Sequence, residues 1–116
     1  ATFGDPGEAL DFFRFTISNY LDAGHLSLLA QPLGVLAAFF DHTGRPDAAA
    51  ILTGFTGDTP FVQDYYPEVR AASIHLRAVL GNDRYEELSA VGAAMTGPEA
   101  ADYALNQIAL ARSEIQ

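Results

Sequence analysis

Three histidines and fifteen acidic residues are the side chains of this sequence that could bind a metal ion. Metal ligands on helices usually come in pairs such as His-x(3)-His or Glu-x-x-His, because these spacings place both side chains on one face. Neither spacing occurs around His25, His42 or His75. The nearest approach, Asp22 with His25, spans a predicted helix end, where both side chains are expected to interact with exposed backbone groups. We therefore expect structural or solvated histidines, no metal site and no cofactor.

Catalysis by acid–base or nucleophilic chemistry needs side chains that face each other. Asp41 and His42 are adjacent, and adjacent residues of a helix point in different directions. None of the serines has the context of a nucleophile elbow. The acidic residues Asp83, Glu86 and Glu87 fit the first turn of a predicted helix, where the helix dipole favours negative charge. The sequence therefore predicts no catalytic residue and no enzyme.

The net charge of −9 argues against two classes of partner. With fifteen acidic and only six basic residues, the surface is expected to repel phosphate backbones and anionic membranes. The apolar-leaning stretch 26–40 is interrupted by Gln31 and Pro32 and is too short to cross a bilayer. The chain has no cysteine, and its first residues lack the basic start and apolar run of a signal peptide. We predict a cytoplasmic protein that binds neither nucleic acid directly nor membranes.

Glycine and proline divide the sequence into six predicted helices, and no run alternates long enough to indicate a strand. The predicted spans are about 6–21, 26–42, 46–55 and 66–80, a fifth beginning at residue 82 or 83, and a sixth reaching about residue 113. Pro32 leaves two alternatives for the second helix, a start near Ala30 or a kink where the backbone hydrogen bond is lost. Thr96 and Glu99 have the spacing of a capping box before the sixth helix. The predicted fold class is all-α.

A Gly-x-Pro-x-x-Ala pattern occurs twice, at residues 4–9 and 44–49. Glycine can end one helix in the left-handed conformation, proline fits the first turn of the next, and the small alanine allows two helices to approach closely. A helical joint that recurs after about forty residues is typical of stacked helical repeats. The tetratricopeptide pattern aligns with residues 28–55, where Gly44 takes the place of the central glycine and Ala49 that of the small residue in the second helix.

Four motifs carry a resemblance to a known family. They are Gly-Asp-Pro-x-Glu-Ala-Leu at 4–10, Leu-Ala-x-x-Phe-x(3)-Gly-x-Pro-x-Ala-Ala-x-x-Leu-x-Gly at 36–54, Leu-Arg-Ala-x-Leu-Gly at 76–81 and Pro-Glu-Ala-Ala-x-Tyr-Ala-Leu at 98–105. The chain resembles the C-terminal, tetratricopeptide-like repeat region of actinobacterial LuxR-family transcriptional regulators and signalling ATPases, some of which carry an adenylate-cyclase domain. The resemblance implies a regulatory segment of a multidomain protein. It implies no catalytic residue, because no P-loop, cyclase or recognition-helix motif is present.

The predicted architecture is a single domain over residues 1–116, with about six helices in stacked antiparallel hairpins that form a tetratricopeptide-like solenoid fragment. We expect residues 5–55 to be repeat-like and residues 65–113 to be less regular. In the repeat alignment the first helix lacks the helix that should precede it, and a repeat cannot bury its apolar face alone. We therefore expect the segment to be cut from a larger protein. The alternative is a true chain end whose Phe-rich face packs on a partner.

The predicted function is a non-catalytic regulatory or protein-interaction module of a bacterial transcriptional regulator or signalling ATPase. Phe12, Phe15 and Tyr20 form the predicted interaction face, because the helix that should cover them is missing. The expected partner is a neighbouring domain of the same polypeptide or a second copy in a homodimer.

Two other functions fit the same sequence. A small-molecule effector held in the concave groove of the repeats would require a deep pocket lined by polar and aromatic groups. An effector-binding domain of a helical repressor would require a DNA-binding headpiece elsewhere in the protein. The aromatic residues of a glycine-containing loop are candidates for contact with a partner or ligand, or they fold down onto a helix pair: Phe61, Tyr65 and Tyr66.

Overall fold

Six α-helices make up most of the described chain. The computed structural model describes residues 6–25, 28–56 and 67–115. In chain order the helices are α1 (Pro6–Ala23), α2 (Ala30–His42), α3 (Pro46–Thr56), α4 (Pro67–Leu80), α5 (Asn82–Ala93) and α6 (Gly97–Ile115). No strand occurs within these three ranges. The predicted all-α fold class is confirmed.

Pro32 lies in the first turn of α2 and not within a longer helix. Because α2 begins at Ala30, Pro32 is its third residue. The N–H groups of the first turn have no intrahelical partner, so a proline there removes no helical hydrogen bond. Of the two alternatives for the second helix, the start near Ala30 is confirmed.

Gly44 ends α2 as the repeated glycine pattern predicts. Its φ of +84° is in the left-handed region that favours glycine. The N–H of Arg45 donates to the carbonyl oxygen of Phe40 at 2.8 Å, which is the long hydrogen bond of a Schellman motif. Gly24 ends α1 in the same way. Its φ is +76°, and the N–H of His25 donates to the carbonyl oxygen of Tyr20 at 2.9 Å. Gly4, the first glycine of the repeated pattern, lies outside the described residues.

The core draws on the inward faces of all six helices. Leucine and phenylalanine dominate on α1 and α2, whereas α3 and α6 contribute mainly alanine. Small side chains let a helix approach its neighbours closely, and close approach increases dispersion contacts. The bulkiest fully buried side chains are Leu10, Ile17, Leu29, Leu33, Leu36, Phe39, Phe40, Leu52, Leu76 and Ile108.

The crossing of α3 and α5 is the most extensive helix–helix contact in the described structure. Gly54 of α3 lies against the backbone of Ser89, and Gly92 of α5 lies against the backbone of Ile51. A methyl group at Gly54 would lie 2.6 Å from the carbonyl carbon of Ser89, and one at Gly92 would lie 2.8 Å from the carbonyl carbon of Ile51. Side chains do not tolerate such distances to backbone atoms. The two helices therefore meet backbone to backbone, and each contributes one glycine to the contact.

The first and last helices pack against each other. The guanidinium Nε of Arg112 on α6 donates to the carboxylate of Asp11 on α1 at 3.3 Å. Arg45, in the turn between α2 and α3, forms an ion pair with Glu114 near the end of α6. Each unit of a solenoid contacts only its neighbours in sequence. The α1–α6 contact closes the array of helices, so the predicted solenoid arrangement is not confirmed.

The capping box before α6 is present as the sequence predicts. The backbone N–H of Thr96 donates to Glu99 Oε1 at 2.8 Å, and the N–H of Glu99 donates to Thr96 Oγ1 at 3.3 Å. This reciprocal pair satisfies two backbone donors that the first turn of the helix leaves free.

Replacing Gly92 with alanine is expected to lower the free energy of unfolding by about 3 kcal/mol or more, because the new methyl group would overlap the α3 backbone. The gain of about 1 kcal/mol in helix propensity does not offset that overlap. Urea denaturation followed by circular dichroism measures the change. As a control, Ala93→Ser adds one heavy atom at the neighbouring exposed position and should cost only about 0.5 kcal/mol. A Gly92→Ala chain as stable as the wild type would contradict the close crossing.

Replacing Thr96 with alanine is expected to destabilise the chain by about 1 kcal/mol, because the N–H of Glu99 then loses its acceptor. The midpoint of urea denaturation should fall with an unchanged slope. Glu99→Gln serves as the matched control, since glutamine also accepts a hydrogen bond in a capping box. A Thr96→Ala chain as stable as the wild type would contradict the capping hydrogen bond.

Candidate functional site

The exposed face of α1 carries five side chains in a single row. They are Glu8, Phe12, Phe15, Asn19 and Asp22, separated by four, three, four and three positions. Residues three or four apart are neighbours on a helix surface, so these side chains form one stripe opposite the buried face. Phe12 is 64% exposed and Phe15 is 68% exposed. We call this row the α1 surface stripe.

An open groove runs beside the stripe, between α1 and α2. Its volume is about 330 Å³ and its surface is mainly apolar. α1 packs less extensively against α2 than against α6, which leaves this space between the two helices. We call it the α1–α2 groove, and its lining is formed by Phe12, Phe13, Thr16, Tyr20, Gln31, Pro32 and Val35.

A chain of aromatic contacts connects the groove with the core. The ring of Phe12 meets the ring of Phe13 edge-on, with centroids 6.0 Å apart. Phe13 in turn packs on Phe39 at 5.7 Å, and Phe39 packs on Phe40 at 6.0 Å. Aromatic pairs in this distance range attract each other beyond the effect of burial alone. The exposed ring of Phe12 therefore rests on a packed aromatic base.

The three residues of the predicted interaction face lie on the same side of the molecule. Phe12 and Phe15 are exposed neighbours on the stripe, and Phe12 also lines the groove together with Tyr20. Tyr20 is half-buried, and its ring meets His25 edge-on at 6.5 Å. The predicted loop contact, by contrast, falls outside the described residues: Phe61, Tyr65 and Tyr66.

Each of the five arginines whose side chains the structure describes pairs with a carboxylate of the same chain. The pairs connect Arg14 and Arg112 with Asp11, Arg45 with Glu114, Arg77 with Glu86, and Arg84 with both Asp47 and Glu87. Glu8 and Asp22, at the two ends of the stripe, have no hydrogen bond or ion pair to any described residue. The two exposed phenylalanines thus lie between two carboxylates whose charge is not compensated within the described structure.

Asp41 pairs with His75 of α4 and not with its sequence neighbour His42. The distance from His75 Nδ1 to Asp41 Oδ1 is 2.7 Å, and the Asp41 side chain is only 12% exposed. Sequence reasoning missed this pair because no local spacing connects two residues 34 positions apart. Ser73, two residues before His75, instead has its hydroxyl 3.2 Å from that of Tyr85. No nucleophile is hydrogen-bonded to His75 among the residues that the structure describes, and the Asp41–His75 pair connects α2 with α4.

A second opening, of about 490 Å³, lies between α1 and α6. Its charged groups are Asp11, Arg14 and Arg112, and both guanidinium groups face the same carboxylate, at 4.0 Å and 3.3 Å. Two guanidinium groups share one carboxylate here, so the charged groups of this opening keep a net positive charge. Elsewhere on α6, burial raises the pKa of the Tyr103 hydroxyl above its ordinary value, and the nearby Asp47 carboxylate raises it further. Tyr103 is therefore protonated at neutral pH and supplies no base.

Neither metal-binding nor membrane-spanning features occur in the parts of the chain that the structure describes. No group of three or more histidine, aspartate or glutamate side chains there is arranged to hold a metal ion. None of the helices in those ranges combines the length and hydropathy that a bilayer span requires.

Compared with known proteins, the chain matches no family model, no curated protein and no solved structure.

Replacing Phe15 with alanine is expected to change the free energy of unfolding by no more than about 0.5 kcal/mol, because the ring is already largely in water. The matched substitution Phe13→Ala, two residues earlier on the buried face, should cost about 3 kcal/mol or more. Thermal and urea denaturation of the two variants measure the difference. A comparable loss in both would show that Phe15 is a core residue and not part of an open surface.

Proposed function

We propose that this chain is a non-catalytic protein-interaction module that docks a helical segment of a partner protein on the α1 surface stripe and the α1–α2 groove. The observation that carries the proposal is the pair Phe12 and Phe15, two exposed neighbouring rings of which one lies at an apolar groove. Recognition of an amphipathic helix by a groove relies on apolar anchors spaced as on one helix face. Aromatic side chains also supply a large share of the binding energy at protein interfaces.

The dimensions of the surface favour a helix as the bound segment. Glu8 and Asp22 are 14 positions apart on α1. At a rise of about 1.5 Å per residue the stripe is about 21 Å long, which is the length of about four helical turns. A partner helix lying along α1 could cover both phenylalanines and place its own apolar side chains in the α1–α2 groove.

The resemblance in sequence to the repeat region of LuxR-family regulators and signalling ATPases supports a regulatory role for this module. The module would belong to a cytoplasmic bacterial transcriptional regulator or signalling ATPase, whose activity changes when the partner helix docks or leaves. The partner would then be a neighbouring domain of the same polypeptide or a separate protein. The net charge of −9 supports a role in binding proteins over nucleic acid, and the five arginines whose side chains are described each contact a carboxylate of this chain.

A small-molecule effector is the second candidate for the same groove. A volume of about 330 Å³ lies at the lower end of the range for ligand pockets, and Thr16, Tyr20 and Gln31 supply polar groups. Such pockets usually enclose most of the ligand, whereas this groove is open along the side of the molecule. A small ligand in the groove would also leave Phe15 uncovered, since Phe15 is not part of its lining.

Selection of a displayed library of helical peptides on the whole chain tests the docking proposal. We expect selected peptides to bind the wild type and to bind the double variant Phe12→Ala/Phe15→Ala at least about ten-fold more weakly, because both aromatic anchors are lost. Fluorescence anisotropy with labelled peptides measures the dissociation constants.

The control for this selection is Ile74→Ala on α4, which removes a side chain that is likewise exposed, at 65%. Peptide binding to this variant should stay within about two-fold of the wild type. A selection that recovers no binding peptide, or peptides that respond equally to the α1 and α4 substitutions, would overturn the proposal. A small molecule whose binding needs Phe12 but not Phe15 would favour the effector-sensing function instead.

A further inference from the structure

We propose that the helix docked on the α1 surface stripe is basic at both ends and apolar in its middle, an inference that rests on the proposed docking function. From one end to the other the stripe reads carboxylate, phenylalanine, phenylalanine, asparagine, carboxylate. A helix lying along it meets negative charge at each end and aromatic rings between. The complementary sequence therefore has Lys or Arg about 14 positions apart, with apolar side chains at intermediate i, i+3 and i+4 positions.

The first reason is that no described arginine side chain contacts these two carboxylates. Arg14 is the arginine nearest in sequence, but it lines the opening on the α6 side of α1 and faces Asp11 there. The other described arginines pair with carboxylates elsewhere in the fold. Glu8 and Asp22 have no partner among the residues that the structure describes, so their charge is available to a bound protein.

The second reason is the position of Asp22 at the C-terminal end of α1. The helix dipole places partial negative charge there, and basic residues are the ones that stabilise such an end. The last turn of α1 contains no basic residue. Asp22 therefore lies where its charge is unfavourable in the free chain, and a cation supplied by the partner would compensate both the carboxylate and the helix end. Glu8 lies in the first turn, where the dipole favours it.

The same charges argue against a second copy of this chain as the occupant. In an antiparallel pairing of two α1 stripes, Glu8 of each copy would face Asp22 of the other, and in a parallel pairing each carboxylate would face its equivalent. Like charges meet in both arrangements, and each copy also carries a net charge of −9. Juxtaposed like charges suppress association between the wrong partners. The predicted homodimer is therefore the less favourable use of this face.

Three helical peptides that differ only in their end charges test the inference. Each has the same apolar centre, is stapled because short helices are only marginally stable in water, and carries lysine, glutamine or glutamate at both ends. We expect the lysine peptide to bind the whole chain most tightly and the glutamate peptide least tightly. The double variant Glu8→Gln/Asp22→Asn should bind the lysine peptide about five-fold more weakly and the glutamine peptide within about two-fold of the wild type.

The outcomes separate this inference from the docking function. Equal binding of all three peptides, with sensitivity to Phe12→Ala, would overturn the charge complementarity and leave the docking function standing. Tightest binding of the glutamate peptide would do the same. Failure of every peptide to bind would overturn both. The control is Asp83→Asn, which neutralises another exposed carboxylate without a described partner, on α5, and should leave the binding of the lysine peptide unchanged.

The melting temperature of the free chain provides a second readout. A mere reduction of the net negative charge would change it in the same direction for both substitutions. Because of the helix dipole, Asp22→Asn should raise the melting temperature of the free chain by about 2 °C, whereas Glu8→Gln should leave it unchanged or lower it slightly. Both substitutions should weaken binding of the lysine peptide. Opposite effects on stability with the same effect on binding are expected only if both carboxylates contact the partner. A melting temperature lowered by Asp22→Asn would contradict the account of α1.

Discussion

The backbone contact between α3 and α5 is the constraint on which the rest of the fold depends. Gly54 and Gly92 leave no room for a side chain at the crossing, so the two helices come closer than any bulkier residue would allow. α3 also packs against α2, α4 and α6, which makes it the central helix of the described structure. Its buried hydroxyl groups suit this position, because Thr53 and Thr56 donate to carbonyl oxygens of α3 itself, at 2.7 Å and 2.9 Å.

The position of α1 follows from this arrangement. α1 is not among the principal neighbours of α3 and packs mainly on α6, where Asp11 and Arg112 connect the two helices. α2 packs instead on α3 and α4, and its largely buried carboxylate Asp41 pairs with His75. Since α1 and α2 have different principal neighbours, the space between them is not closed. The α1–α2 groove is therefore a consequence of the helix packing. Its α1 side is formed by Phe12 and Phe13, whose rings pack on each other and, through Phe13, on Phe39.

Local features of the fold could be predicted from the sequence, whereas the long-range contacts could not. The helix end at Gly44 and the capping box of Thr96 and Glu99 each depend on a few adjacent residues, whose backbone requirements can be read directly. Pro32 alone allows two alternatives for the second helix, of which the structure has the start near Ala30. The sequence predicts the exposure of Phe12 and Phe15 from a missing repeat helix, whereas in the structure the two rings lie opposite the buried face of α1, and their binding role stays a proposal. The glycine crossing, the α1–α6 contact and the Asp41–His75 pair join residues far apart in the chain. No periodicity connects such residues, so only the three-dimensional packing reveals them.

The use of charge in this chain gives the exposed phenylalanines their specificity. Exposed aromatic surface attracts any apolar surface, including that of other copies, and is an aggregation hazard when it has no bound partner. Here Arg45, Arg84 and Arg112 form ion pairs that connect different parts of the fold. The carboxylates without a described partner therefore contribute uncompensated negative charge to the surface. Glu8 and Asp22 lie at the two ends of the α1 surface stripe, where they repel another copy of the chain and attract a basic helix. Because specificity is a difference between affinities, the same two side chains can raise the affinity for a basic helix and lower it for another copy of the chain.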